Sequence, residues 1–188
     1  MDEETVLGTQ FPEVLAAART GAEWAWISIY RDLSPVVLGY LRARRATEPE
    51  DLLGEVFLQV ARDLPAFDGS ERDFRAWAFV LAHHRLVDEG RRRARRPVEL
   101  ASEVALETPD PNDVETQVLR GAGADRVRAI IGELAPEHRD VLLLRVLGEL
   151  TVDEVASVVG KSPGAVKALQ RRGLVAIKEM LSKEGATL

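Results

Sequence analysis

Two stretches of this chain carry side chains suited to gripping a nucleic acid. In LTVDEVASVVGKSPGAVKALQRRGLVAIK, residues 150–178, a 3.6-residue period puts Val166, Leu169, Gln170, Gly173 and Ile177 on one side of a helix. Ala168, Arg171 and Arg172 point the other way, with Lys167 at the margin. A cationic face with a small residue at its centre suits the major groove, where lysine and arginine reach phosphates and guanine edges. In RDFRAWAFVLAHHRLVDEGRRR, Arg75, Arg85, Arg91, Arg92 and Arg93 are each placed to meet a phosphate, and each such contact steepens salt dependence. Phe67, Phe74 and Trp77 could stack on unpaired bases. Core packing is the competing use for Phe74 and Trp77, whereas Phe67 falls on a loop. A third stretch shows Asp51, Glu55, Gln59 and Arg62 on one face, for which ordinary solvation competes with binding.

The elements that must position these groups are helices. Thr151 with Glu154 is a capping box, and Ser162-Pro163 is a second helix start, with a side-chain oxygen cap and a proline in the first turn. Between them Val155, Ala156, Val158 and Val159 make a short apolar helix that Gly160 ends in a left-handed conformation. Short helix, glycine turn and longer helix form a helix-turn-helix. Upstream, Phe11 to Ala18 reads as a short helix. Trp24, Ile27 and Tyr30 set an apolar stripe that restarts at Ser34-Pro35, runs through Val37, Leu38, Tyr40 and Leu41, and ends at Arg42, Arg44 and Arg45. Thr47 with Glu50 reads as another capping box, opening a helix with Leu52, Leu53, Val56, Phe57 and Val60 inside. Asp68-Gly69 marks a turn, and Ser70 with Asp73 starts the long arginine-bearing helix. Val127, Ile130, Ile131 and Leu134 form one further stripe, and Val141 to Leu147, closed by Gly148, another. No strand pattern is found. The fold class is all-α, in two small helical bundles: an extension at 1–20, a first module at 21–96, an acidic linker at 97–112 and a second module at 113–188.

Composition narrows the function. The 188 residues include no cysteine, which removes disulfides and thiolate metal sites. The pair His83-His84 points two ways around a helix and has no carboxylate at ligand spacing, so neither metal nor cofactor is expected. The net charge of -6 argues against nucleic acid until its distribution is read. Arg85 to Arg96 holds six arginines against Asp88 and Glu89, and Pro97 to Leu119 holds six carboxylates and no cation. No apolar run is long enough to span a bilayer and the N-terminus lacks signal-peptide character, so a cytoplasmic protein is expected.

In this order the motifs resemble a bacterial RNA polymerase sigma factor of the sigma-70 family, extracytoplasmic-function type. EDLLGEVFLQVARDL looks like region 2.2, FRAWAFVLAHHRLVDEGRRR like regions 2.3 and 2.4, LAPEHRDVLLLRVLGELTVDEVA like region 4.1 entering 4.2, and KSPGAVKALQRRGL like the recognition helix. The resemblance implies a protein that performs no covalent chemistry. Asp51, Leu52, Glu55, Val56 and Gln59 would bind the clamp helices of the large polymerase subunit, and the second module its flap. Phe67, Arg75, His84, Arg85, Asp88, Arg91 and Arg92 would recognise and help open the promoter's -10 element, holding a flipped base. Lys161, Ser162, Ala165, Lys167, Ala168, Arg171 and Arg172 would read the -35 element as duplex. The linker would thread near the polymerase cleft, and an anti-sigma partner would hold the protein inactive.

Two other readings stay open at this stage. A stand-alone dimeric helix-turn-helix regulator would bind two symmetric half-sites unaided and has no need of the arginine-rich helix or the acidic linker. A helical hydrolase or metal enzyme would need a nucleophile, base and orienting acid that no spacing here supplies.

Overall fold

The computed structural model describes residues 7–95 and 130–185, and every described element is helical. The acidic linker, the helix expected from Val114 and the first residue of the Val127 stripe lie outside the described residues. In the first module α1 (Phe11–Arg19), preceded by a 3-10 turn at Gly8–Gln10, leads to α2 (Glu23–Ala43), α3 (Pro49–Asp63) and α4 (Glu71–Arg95). In the second, a helix end at 130–133 precedes α5 (Pro136–Val146), α6 (Val152–Val159) and α7 (Pro163–Gly185).

Helix α2 departs from expectation twice. It runs unbroken through Pro35, although an internal proline removes a backbone hydrogen bond at a cost of about 3 kcal/mol. Burial of Ile29 and Leu33 before the proline, and of Val37, Tyr40 and Leu41 after it, offsets that cost, since each contributes about 1.5–3 kcal/mol. The period was right and the face wrong: Ala25, Ile29 and Leu33 are buried, while Trp24, Ile27 and Tyr30 are the exposed set. Trp26, one position over, donates its indole N–H to the Ala18 carbonyl at 3.1 Å and ties α2 to α1.

The start of α3 is also different. Glu48 is its N-cap residue and Pro49 opens the first turn, with no side-chain cap. Thr47 instead accepts a hydrogen bond from Arg93 at 2.8 Å. The missing cap costs little because Leu52, Leu53, Val56 and Val60 anchor the helix in the core.

Around the second module's turn the sequence signals hold. Thr151 and Glu154 form the capping box, Gly160 is left-handed at φ 64°, and Ser162 Oγ accepts from the Ala165 N–H at 3.2 Å. At the end of α5, however, the left-handed residue is Glu149, at φ 55°. Gly148 is required by space: a Cβ there would lie 2.9 Å from the Leu144 carbonyl oxygen and 3.0 Å from the Phe79 ring. Gly173 lies close against α5: a Cβ there would come within 2.7 Å of the Leu142 Cδ1 and 3.3 Å of the His138 Cβ, so the Leu142 side chain would have to shift. The guanidinium of Arg139 is buried and donates to the carbonyls of Ile131, Gly132 and Leu134, satisfying the helix end at 130–133. A single apolar cluster, from Leu7 through Leu86 and on from Val141 to Leu169, runs through both modules.

Candidate nucleic-acid interface

The face of α7 is built by what lies behind it. Val166 and Leu169 are buried, and Gly173 seats the helix on α5, so the helix cannot rotate without opening the core. Lys167, Arg171 and Arg172 are then left exposed in one arc, with Ala165 and Ala168 half-buried between them. Ser162, itself exposed, caps the helix start. Lys161 pairs with Glu137 at 2.9 Å, and that hydrogen bond holds the Glu137 carboxyl below the usual range. The structure therefore brings all seven residues expected of this face together.

The loop before α4 is an aromatic stack. Phe67 lies flat on Trp77 at 5.2 Å and 20°, and meets Phe74 edge-on at 5.3 Å. Phe74 is buried and backed by Phe11 of α1 at 5.6 Å. Gly69 allows the ring to fold back, since a Cβ would come within 2.9 Å of it. Asp73 accepts from the Ser70 N–H and hydroxyl at 2.9 and 2.6 Å, which closes the turn and depresses the Asp73 carboxyl. Arg19 donates to the Phe67 carbonyl. Neither Phe11 nor Arg19 was expected to belong here; they lie far from Phe67 in sequence, and no local pattern signals the contact.

Along α4 the arginines separate. Arg75 does not reach the surface: it is buried and paired with Asp32 at 3.0 Å, an ion pair inside the bundle, so the expected DNA contact is corrected to a structural role. Arg85 meets Gln59 and, at 3.7 Å, Glu55. Arg91 pairs with Asp88 at 3.3 Å, and His84 and Arg92 are exposed. His83 is buried and shares a hydrogen bond with the Tyr40 hydroxyl at 2.8 Å. Burial, then the nearby Arg44 and His84 charges, lowers its imidazole to about 4, and burial raises the Tyr40 phenol.

Two residues expected on the α3 docking face are also corrected. Leu52 and Val56 are 4% and 1% exposed and belong to the module's own core, because they share its inward stripe with Leu53 and Val60. Asp51 is exposed and Glu55 and Gln59 half-exposed. Leu58, 74% exposed, joins them; an apolar residue on the polar side of the helix was the available signal. Glu55, Leu58, Gln59, Arg62, Arg85 and Arg92 line an open groove of about 350 Å³ between α3 and α4.

Comparison with known proteins identifies the family of the two modules. Residues 29–96 match the family model Sigma-70 region 2, and residues 124–177 match Sigma-70, region 4. The chain is 31% identical to the ECF RNA polymerase sigma factor ShbA of Streptomyces griseus, over 95% of this chain and 97% of the relative. It is 27% identical to the ECF RNA polymerase sigma factor SigD of Mycobacterium tuberculosis, over 96% and 88%. Among solved structures, CnrH in complex with the cytosolic domain of CnrY shares its fold with a TM-score of 0.59 at 21% identity, covering 91% of this chain and 96% of that one. The sigma factor RpoE in complex with the anti-sigma factor NepR, from Bartonella quintana, does so with a TM-score of 0.56 at 15% identity, over 92% and 97%.

Proposed function

We infer what this chain does from the family it belongs to, the extracytoplasmic-function RNA polymerase sigma factors: it binds core RNA polymerase and directs it to particular promoters. Its contribution is recognition and strand opening, made by binding energy. The observation that supports this most is the exposed arc of Lys167, Arg171 and Arg172 on a capped and firmly seated α7. On this reading Lys161, Ser162, Ala165, Lys167, Ala168, Arg171 and Arg172 read the -35 element in a major groove. The Phe67 loop, His84, Arg85, Asp88, Arg91 and Arg92 hold the -10 element, where the outer face of the Phe67 ring offers a platform for an unstacked base.

Core polymerase docks on the exposed side of α3, through Asp51, Glu55, Leu58 and Gln59, on the clamp helices, and the second module meets the flap. The chain works in the cytoplasm with its polymerase, and no described helix is long and apolar enough to cross a membrane. An anti-sigma protein controls it, a kind of partner with which the sigma factor RpoE, of similar fold, forms a solved complex. Transcription from genomic fragments with purified core polymerase, with and without this chain, tests the reading. New start sites should appear only when the chain is present. Tight binding of the chain alone to a palindromic operator, with no effect on initiation, would instead identify a stand-alone regulator.

A further inference from the structure

Helix α1 lies in the extension at 1–20, ahead of the segment that matches region 2, yet it touches the aromatic stack at both of its ends. At its start the buried Phe11 ring lies 5.6 Å from Phe74. Phe74 is the hub of the stack, since its ring also meets Phe67 at 5.3 Å and Trp77 at 5.7 Å. At its end Arg19 donates to the Phe67 carbonyl. The two ends stand about 12 Å apart at ~1.5 Å per residue, so one rigid rod braces the rings and the loop backbone separately. The rod is itself seated: Val14, Leu15 and Ala18 are buried, and Trp26 of α2 donates to the Ala18 carbonyl at 3.1 Å.

The loop needs that brace. Phe67 is extended, at φ -71° and ψ 131°, and follows the 3-10 turn at Leu64–Ala66. Its N–H donates to the Leu64 carbonyl at 3.1 Å, and three residues on the Ser70 N–H is fixed by Asp73. Between these anchors Arg19 holds the Phe67 carbonyl. A Phe67 left loose would have to be ordered each time a base stacked on it. Each side chain immobilised on binding weakens the equilibrium by about 2- to 10-fold.

We propose that α1 is a positioning element for strand opening: Phe11 and Arg19 hold the Phe67 ring in the orientation that receives an unstacked base, without themselves touching DNA. The functional half of this rests on the sigma-factor reading; the bracing of the loop does not. Phe11 acts through Phe74, which would otherwise be free to turn away from the Phe67 edge. Arg19 acts on the backbone that carries the ring.

Arg19 is exposed, so Arg19→Ala leaves the core intact, and Phe11→Leu keeps an apolar side chain inside it. At a promoter that the chain and core polymerase open, each variant should lower permanganate reactivity of the -10 thymines by about three-fold. Affinity for polymerase and for duplex should be unchanged, and Arg19→Lys, which keeps a donor, should recover most of the loss. In a Phe67→Ala background Arg19→Ala should cost nothing further, because a brace has no effect once the ring is gone. A full additional loss there, or a salt dependence of promoter binding reduced by one phosphate contact in Arg19→Ala, overturns the proposal and makes Arg19 a direct DNA contact. In the free chain, amide exchange across residues 64–70 should rise several-fold in Arg19→Ala; unchanged exchange overturns the bracing whatever transcription shows. Faster exchange in a chain that opens no promoter with polymerase would instead sink the sigma-factor reading.

Discussion

The two cationic surfaces of this protein are made differently. On α7 the cations Lys167, Arg171 and Arg172 are exposed, and the opposite side of the helix is committed to the core. On α4 most cations are already occupied, Arg75 by Asp32, Arg85 by Glu55 and Gln59, Arg91 by Asp88 and Arg93 by Thr47. What α4 offers instead is fixed shape, an aromatic stack backed by α1 and closed by the Ser70–Asp73 turn. A duplex groove is a stable target that mobile cations can meet, whereas a flipped base requires a rigid platform.

The largest effect that separates the two surfaces concerns Arg75. Arg75→Ala strands Asp32 inside the bundle and should lower unfolding stability by about 3–5 kcal/mol. Urea titration checks this; a stable variant that lost only DNA affinity would return Arg75 to the DNA surface. Next, Arg171→Glu with Arg172→Glu should weaken binding to promoters with a -35 element by about 100-fold, each lost contact being worth ~1–3 kcal/mol. Competition for core polymerase should be unchanged, and equal loss of both would dissolve the division of labour between modules. Phe67→Ala should reduce strand opening by about ten-fold, the value of one ~1–3 kcal/mol stacking contact, while duplex binding persists. Permanganate reactivity of the -10 thymines, set against gel-shift affinity, reads that difference.

The smallest effect is one of pH. The folded protein takes up a proton on His83 only near pH 4, against an ordinary value of 6.5, so this residue's stabilisation is present above pH 6.5 and lost as pH falls toward 4. Asp140 acts oppositely: its carboxyl is raised from 3.8 to about 6, so the folded form gains as pH falls through that window. His83→Gln should therefore remove about 1–2 kcal/mol of the stability lost between pH 7 and pH 5. Unfolding curves at both values check it, and an unchanged pH profile would mean that His83 is not held neutral by burial.

Most of the helices, the helix-turn-helix and the α7 face could be read from sequence because local chemistry decides them. Thr151, Gly160 and Ser162 act within a few residues of themselves. What could not be read depends on distant partners. Arg75 looks like any surface arginine until Asp32 is brought beside it, and Leu52 and Val56 lie one helical step from a real surface. Pro35 shows tertiary burial overriding a local stop signal. The loop at Phe67 was visible as a turn, but the support from Phe11 and Arg19 arises only in the folded bundle.

The central claim is that a rigid aromatic platform and a separate groove-reading helix act together on one promoter through core polymerase. The most direct measurement places 2-aminopurine in the non-template strand of a -10 element and follows its fluorescence with core polymerase and this chain. A rise that needs both proteins, and that depends on both Phe67 and the Arg171-Arg172 pair, is the predicted result. A rise with polymerase alone, or none with both proteins at any promoter they start from, would contradict the account.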